Sequence, residues 1–139
     1  MKIKIKNSLL VPTINLLQDM KLKGKASRAR TKLVNLFINA VNELSNSELA
    51  LIKDYGELDE AGNPIKSENG SYKIKPDVLA EFNAEHLVLL NENAEVSGPT
   101  YEGHLEDCIN FLNEYDGELS GTNAQAYDAL LDALESEEK

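Results

Sequence analysis

Apolar residues recur along this chain at two spacings, every second position at the start and every third or fourth position through most of the rest. Lys2-Ile3-Lys4-Ile5-Lys6 alternates strictly, the period of a strand with one face buried. Beyond it, Pro12 suits the opening turn of a helix that carries Ile14, Leu17 and Met20 on one side, with Gly24 as its stop. From Ser27 to Tyr55 no Gly or Pro intervenes, and Leu33, Leu36, Phe37, Ala40, Leu44, Leu51 and Tyr55 keep helical spacing. The pattern predicts one long helix over about 27–55, with Leu33, Phe37, Ala40, Leu44 and Leu51 as its buried face. Val34, Ile38 and Val41 widen the apolar arc and predict cover on two sides. At ~1.5 Å per residue such a helix runs ~40 Å, and Gly56 closes it.

The period then changes. Gly62-Asn63-Pro64 and Glu68-Asn69-Gly70-Ser71 are turn clusters, and they flank Ile65-Lys66 and Tyr72-Lys73-Ile74. This predicts a β-hairpin over 64–75 with its tip at Asn69-Gly70. Two strands alone are marginal in water, so the strand at 2–6 is expected as their third member. Pro76 and Asp77 open a further helix with Val78, Leu79, Phe82, His86, Leu89 and Leu90 along one side. Glu95–Tyr101, with Gly98-Pro99, reads as a loop or a short extended piece. Leu105, Cys108, Ile109 and Leu112 mark a helix that ends near Gly117, and Thr122 or Asn123 is expected to cap the last one, carried by Tyr127, Leu130, Leu131 and Leu134. The expected class is α+β, predominantly α: about five helices around the long central one, beside a small antiparallel sheet. The 139 residues contain no linker and no internal repeat, and are expected to form one domain.

Composition adds compartment and charge. Apolar residues make up 42% of the chain, with 6% aromatics and no Trp, so the core is aliphatic. The lone Cys108 excludes an internal disulfide and suits a reducing compartment. The apolar stretch after the first lysines is broken by Pro12, Thr13 and Asn15, unlike a secretory signal, and no run approaches the ~20 apolar residues of a membrane span. A cytoplasmic location with no membrane contact is expected. Charge is sorted by position: residues 1–35 hold nine Lys or Arg and one acid, whereas 36–139 hold five Lys and 23 acids. Two such regions prefer different partners, or each other.

The candidate chemistry follows from that polarity. Lys21, Lys23, Lys25, Arg28, Arg30 and Lys32 cluster around a helix start, where free amides add to the pull on an anion. They form a candidate basic contact patch for a protein or a small anion, unless they pair internally with the acidic helices. No aromatic is interleaved for base stacking, which disfavours nucleic acid. Asp128, Asp132 and Glu135 form a candidate acidic contact face, one able to present phosphate-like charge to a basic groove. Gly24-Lys25-Ala26-Ser27 fails as a P-loop, because Asp19 and Ala26 stand where Gly and Ser or Thr are needed. Glu57–Glu68 matches a calcium loop at its first, third, sixth and twelfth positions but has Ala61 at the fifth and a hairpin strand afterwards, so a turn-rich connector is expected. His104 and Cys108 share a helix face at i, i+4, yet two ligands do not make a structural metal site, and Cys108 fits the apolar stripe. No nucleophile has a recognisable base beside it. No cofactor, metal or catalytic residue is expected.

Four runs carry a resemblance: Met1–Leu10; Leu22-Lys23-Gly24-Lys25 with Ser27 and Arg28; Leu58-Asp59-Glu60-Ala61-Gly62-Asn63-Pro64; and Glu118-Leu119-Ser120-Gly121. In their order, over most of its length, the chain resembles a small family of uncharacterised proteins of tailed phages and prophages of Gram-positive bacteria. The resemblance implies phage origin and synthesis in the host cytoplasm, and it brings no catalytic residues. The expected function is a non-enzymatic, protein-binding accessory protein, associated with virion or tail assembly and with homo-oligomer formation open. The alternative is an inhibitor of a host defence nuclease that acts through the acidic, nucleic-acid-mimicking surface. A nucleic-acid binder through Lys21–Lys32 ranks below both, and a small enzyme last.

Overall fold

The computed structural model describes residues 2–98 and 100–138. The expected first strand and the expected helices are present, with a further strand between the third and fourth helices: β1 (Lys2–Lys6), α1 (Leu10–Asp19), α2 (Gly24–Tyr55), α3 (Leu79–Asn91), β2 (Asn93–Ser97), α4 (His104–Glu114) and α5 (Gly121–Glu138), with 3-10 turns at Asn7–Leu9 and Pro76–Val78. Among the described residues, five α-helices and one two-stranded antiparallel sheet make the fold predominantly helical α+β. Gly24 does not stop α1 but opens α2, at φ 53°, a left-handed value that costs glycine little. Likewise Gly121 opens α5, which places Thr122 and Asn123 inside the first turn and not at the cap.

The sheet is not the expected one. β1 pairs with β2 in the register Lys2↔Ser97, Ile3↔Val96 and Ile5↔Ala94. Ile3, Ile5 and Val96 are buried on one face, while Lys2 and Glu95 bridge at 3.5 Å on the other. The 64–75 hairpin forms through Lys66↔Tyr72, but its partner is the chain just leaving α2, through bridges Gly56↔Ile74 and Leu58↔Pro64. Local chain supplies that third strand at a smaller loop-closure cost than the distant β1. Ser67 N–H donates to Ser71 O at 2.7 Å across the tip, where Gly70 sits at φ 86°. The segment expected to be a loop or a short extended piece, Glu95–Tyr101, begins as the extended end of β2, and its Pro99 lies outside the described residues.

By internal packing the chain divides into a larger unit, Met1–Val41 with Asn93–Lys139, and a smaller one, Asn42–Glu92. In the larger unit α5 packs closely on α1, α4 and β1. Ala126, Leu130 and Leu134 of α5 are fully buried, and so are Leu10 and Leu17 of α1, Leu33 and Phe37 of α2, and Cys108 and Leu112 of α4. The smaller unit holds the second half of α2, the hairpin and α3. Among the described residues every buried apolar side chain belongs to the larger unit, and in 42–92 only Gly56 is buried. Leu33, Phe37 and Ala40 therefore meet expectation, whereas Leu44 and Leu51 are only half-buried.

Gly56 marks the junction of α2 and the hairpin. A Cβ there would stand 2.5 Å from Ile52 O and 3.2 Å from Lys73 O, so the helix end and the returning strand approach too closely for any side chain. Gly56 N–H donates to Ile52 O and Glu57 N–H to Lys73 O, which carries the helix directly into the hairpin ladder.

Candidate functional site

The basic segment is part structural and part free. α1 ends with Met20 in an extended conformation, its N–H donating to Leu17 O at 3.3 Å, and the carbonyls at the helix end have room for further donors. Arg30 adds them: its Nη1 donates to Leu17 O and Met20 O, both at 2.7 Å, and its Nη2 reaches Ser27 Oγ. A guanidinium carries enough fixed donors to close a helix end in this way. Lys25 pairs with Asp107 at 3.4 Å. Lys21, Lys23, Arg28 and Lys32 make no ion pair among the described residues. Two of the six candidate residues are thus engaged inside the fold, and four leave their charge to solvent or to a partner. Because α2 begins at Gly24 and not near Ser27, Lys25 joins Arg28 and Lys32 within its first turns.

Asp107 links this segment to α4. The Tyr101 hydroxyl donates to its Oδ2 at 2.7 Å, and that bond, with Lys25 on the other oxygen, holds the carboxyl below its ordinary range despite burial. Burial, with Asp107 alongside, pushes the Tyr101 phenol up to about 12. Sequence spacing gave no hint of this pair, since Tyr101 precedes the helix on which Asp107 sits.

His104 and Cys108 do share a face, and a backbone carbonyl occupies it. His104 is wholly buried; its Nε2 donates to Ala29 O at 3.0 Å, while Nδ1 lies 3.4 Å from Thr100 N–H as acceptor. Cys108 Sγ also points at Ala29 O, at 3.9 Å, and burial pushes the thiol up to about 12. A buried, protonated thiol is a poor nucleophile. Among the described residues no three His, Cys, Asp or Glu are placed to hold a metal ion. In the Glu57–Glu68 connector, Asp59 Oδ1 accepts from Ala61 N–H and Asn63 N–H, an Asx turn that spends the carboxylate on backbone.

Asp128, Asp132 and Glu135 are all exposed on α5, at i, i+4 and i+7, and their side chains make no ion pair among the described residues. They stand on one face, as their spacing requires. Within the larger unit an open cleft of about 580 Å³ has Lys21 and Lys23 at its edge together with Asp19, Glu114 and Asp116, and this mixture of signs suits neither a phosphate nor a cation.

The smaller unit presents a surface that sequence reasoning missed. One side of α3 carries Phe82, His86, Leu89 and Leu90, all half-buried. Phe82 meets Tyr55 edge-on at 6.2 Å and stacks on His86 at 5.7 Å, and His86 Nε2 lies 2.7 Å from Glu48. Its other side, Ala80, Ala84, Leu87 and Val88, is exposed, Leu87 to 61% and Val88 to 56%. The signal was in the sequence: Ala80, Ala84 and Leu87 keep the same i, i+4, i+7 spacing as a buried face. No described helix is long and apolar enough to cross a membrane.

The fold is that of a mainly helical α+β protein with a small antiparallel sheet. Residues 1–139 match the family described as a protein of unknown function (DUF1617), and the chain belongs to that family. No curated protein and no solved structure matches it.

Proposed function

We propose that this chain is a non-enzymatic, protein-binding accessory protein of phage or prophage origin, made in the host cytoplasm and acting in virion or tail assembly. One observation carries the reading: the unit 42–92 is rich in Leu, Ile, Val and aromatic side chains, and none of them is buried. A helix that is apolar on two sides is ordinarily covered on both. Exposed apolar patches rimmed by charge are characteristic of protein contact sites. The test is affinity capture of the tagged full-length chain from infected cells, alongside a Leu87→Asp/Val88→Asp variant. A phage structural protein held by the parent chain and lost from the variant is the expected result. An unchanged set of captured proteins would refute it.

The second reading is inhibition of a host defence nuclease by the acidic face, and the unpaired stripe Asp128, Asp132 and Glu135 is the observation in its favour. Reversing the three to Lys then abolishes nuclease binding without unfolding the domain, since exposed charge changes move stability by only about ±0.5 kcal/mol. Binding of this kind weakens steeply with salt. A complex that survives the triple reversal at low and high salt alike would remove the mimic.

A further inference from the structure

The outward side of α3 is both apolar and acidic. Ala80, Ala84, Leu87 and Val88 form the stripe; Glu81 and Glu85 flank it; and no Lys or Arg occurs anywhere from Pro76 to Glu92. The first half of α2 presents the converse. Arg28, Thr31, Asn35 and Ile38 follow one another at steps of three and four on an exposed face, with Lys32 at its border and Ile38 exposed to 40%. Arg28 and Lys32 make no ion pair among the described residues, and neither do Glu81 and Glu85. One chain therefore carries two unsatisfied faces of opposite charge, each with an apolar component.

We infer that the occupant of the α3 stripe is a second copy of this chain, docked head to tail through the Arg28–Ile38 face of its α2. The inference rests on the reading of the smaller unit as a docking surface, and it names the partner at that surface. Charge decides the arrangement. A two-fold contact between α3 stripes brings Glu81 and Glu85 of both copies into one interface, and a two-fold contact between α2 faces does the same with Arg28 and Lys32. Juxtaposed like charges disfavour both two-fold contacts. The head-to-tail contact sets carboxylates against cations and Leu87 and Val88 within reach of Ile38. Such a contact is heterologous, so it propagates into a ring if the rotation closes and into a filament if it does not.

A charge swap in the full-length chain tests this. One variant carries Arg28→Glu with Lys32→Glu, and the other Glu81→Lys with Glu85→Lys; circular dichroism confirms the fold of each. Sedimentation velocity follows the parent chain up to about 200 μM, enough to saturate a micromolar interface. The parent is expected to form oligomers that dissociate with salt. Each variant alone is expected to be monomeric, with self-association weakened at least about 100-fold, and an equimolar mixture recovers the oligomers because each face again meets its opposite. A parent chain that stays monomeric overturns the inference, as do oligomers indifferent to both variants or a mixture that fails to recover. If the parent is monomeric yet Leu87→Asp/Val88→Asp still loses its captured partner, the docking surface stands and only its self-directed occupant falls.

Discussion

Thr13 is fully buried on α1, and its hydroxyl has no hydrogen-bond partner among the described residues. An unsatisfied buried hydroxyl costs on the order of 1–3 kcal/mol, and an apolar group of the same shape removes the cost. Thr13→Val is expected to leave stability unchanged or raise it by about 1 kcal/mol in chemical denaturation. Phe37→Ala, at a fully buried site, lowers it by about 3–5 kcal/mol. Asp107 gives the chain a pH dependence of known sign. Its carboxyl is held below the ordinary value of 3.8, so it stabilises the fold fully above that value, and the contribution is lost as pH falls through the native one. Tyr101 has the opposite sense: it stabilises below its ordinary 10.0, and the contribution goes as pH rises through about 12. Tyr101→Phe removes the hydroxyl donor, so the titration of Asp107, followed by NMR, is expected to move up toward 3.8. An unmoved titration would assign the depression to Lys25 instead.

At the scale of elements, α2 is one helix in two environments. Leu33→Asp buries an unpaired carboxylate in the packed core and is expected to unfold the larger unit, whereas Leu44→Asp, at a half-buried position, is tolerated with a much smaller loss. Equal melting temperatures for the two variants would contradict this division. The helix itself was legible, because an uninterrupted three-and-four spacing over 27–55 has no competing interpretation; its burial was not, because spacing reports which residues share a face and says nothing of what covers it. β1 was equally plain from its strict alternation. β2 was only half legible: Asn93-Ala94-Glu95-Val96-Ser97 has one β-branched residue, which left a loop and a short extended piece equally open from Glu95 on, and pairing with Ile3 and Ile5 makes it a strand. The basic segment was visible as a charge cluster, yet the division between Arg30, which closes α1, and Arg28, which faces outward, depends on where α1 ends, and Gly24 pointed to the wrong residue.

For the whole molecule, the family match and the helical α+β class define what kind of chain this is, and the two opposed charge regions follow from its sequence alone. The faces that carry the proposed contacts are surfaces, and surface identity is written in what remains uncovered, a property no local window of sequence contains. The unequal burial along α2 has a consequence for how the chain opens. Amides at Leu33–Ala40 lie in the core-bearing unit and are expected to exchange with deuterium only through global unfolding, whereas those near Leu44–Ile52 exchange by a cheaper, local opening. A single continuous helix would then show two plateaus of protection with a step close to Val41. Added denaturant lowers the upper plateau steadily, because global unfolding exposes much surface, until it meets the lower one, which stays nearly level. If the stripe on α3 is occupied, the lower plateau rises with protein concentration, so the exchange of a few helix amides becomes a gauge of how much of the chain is assembled.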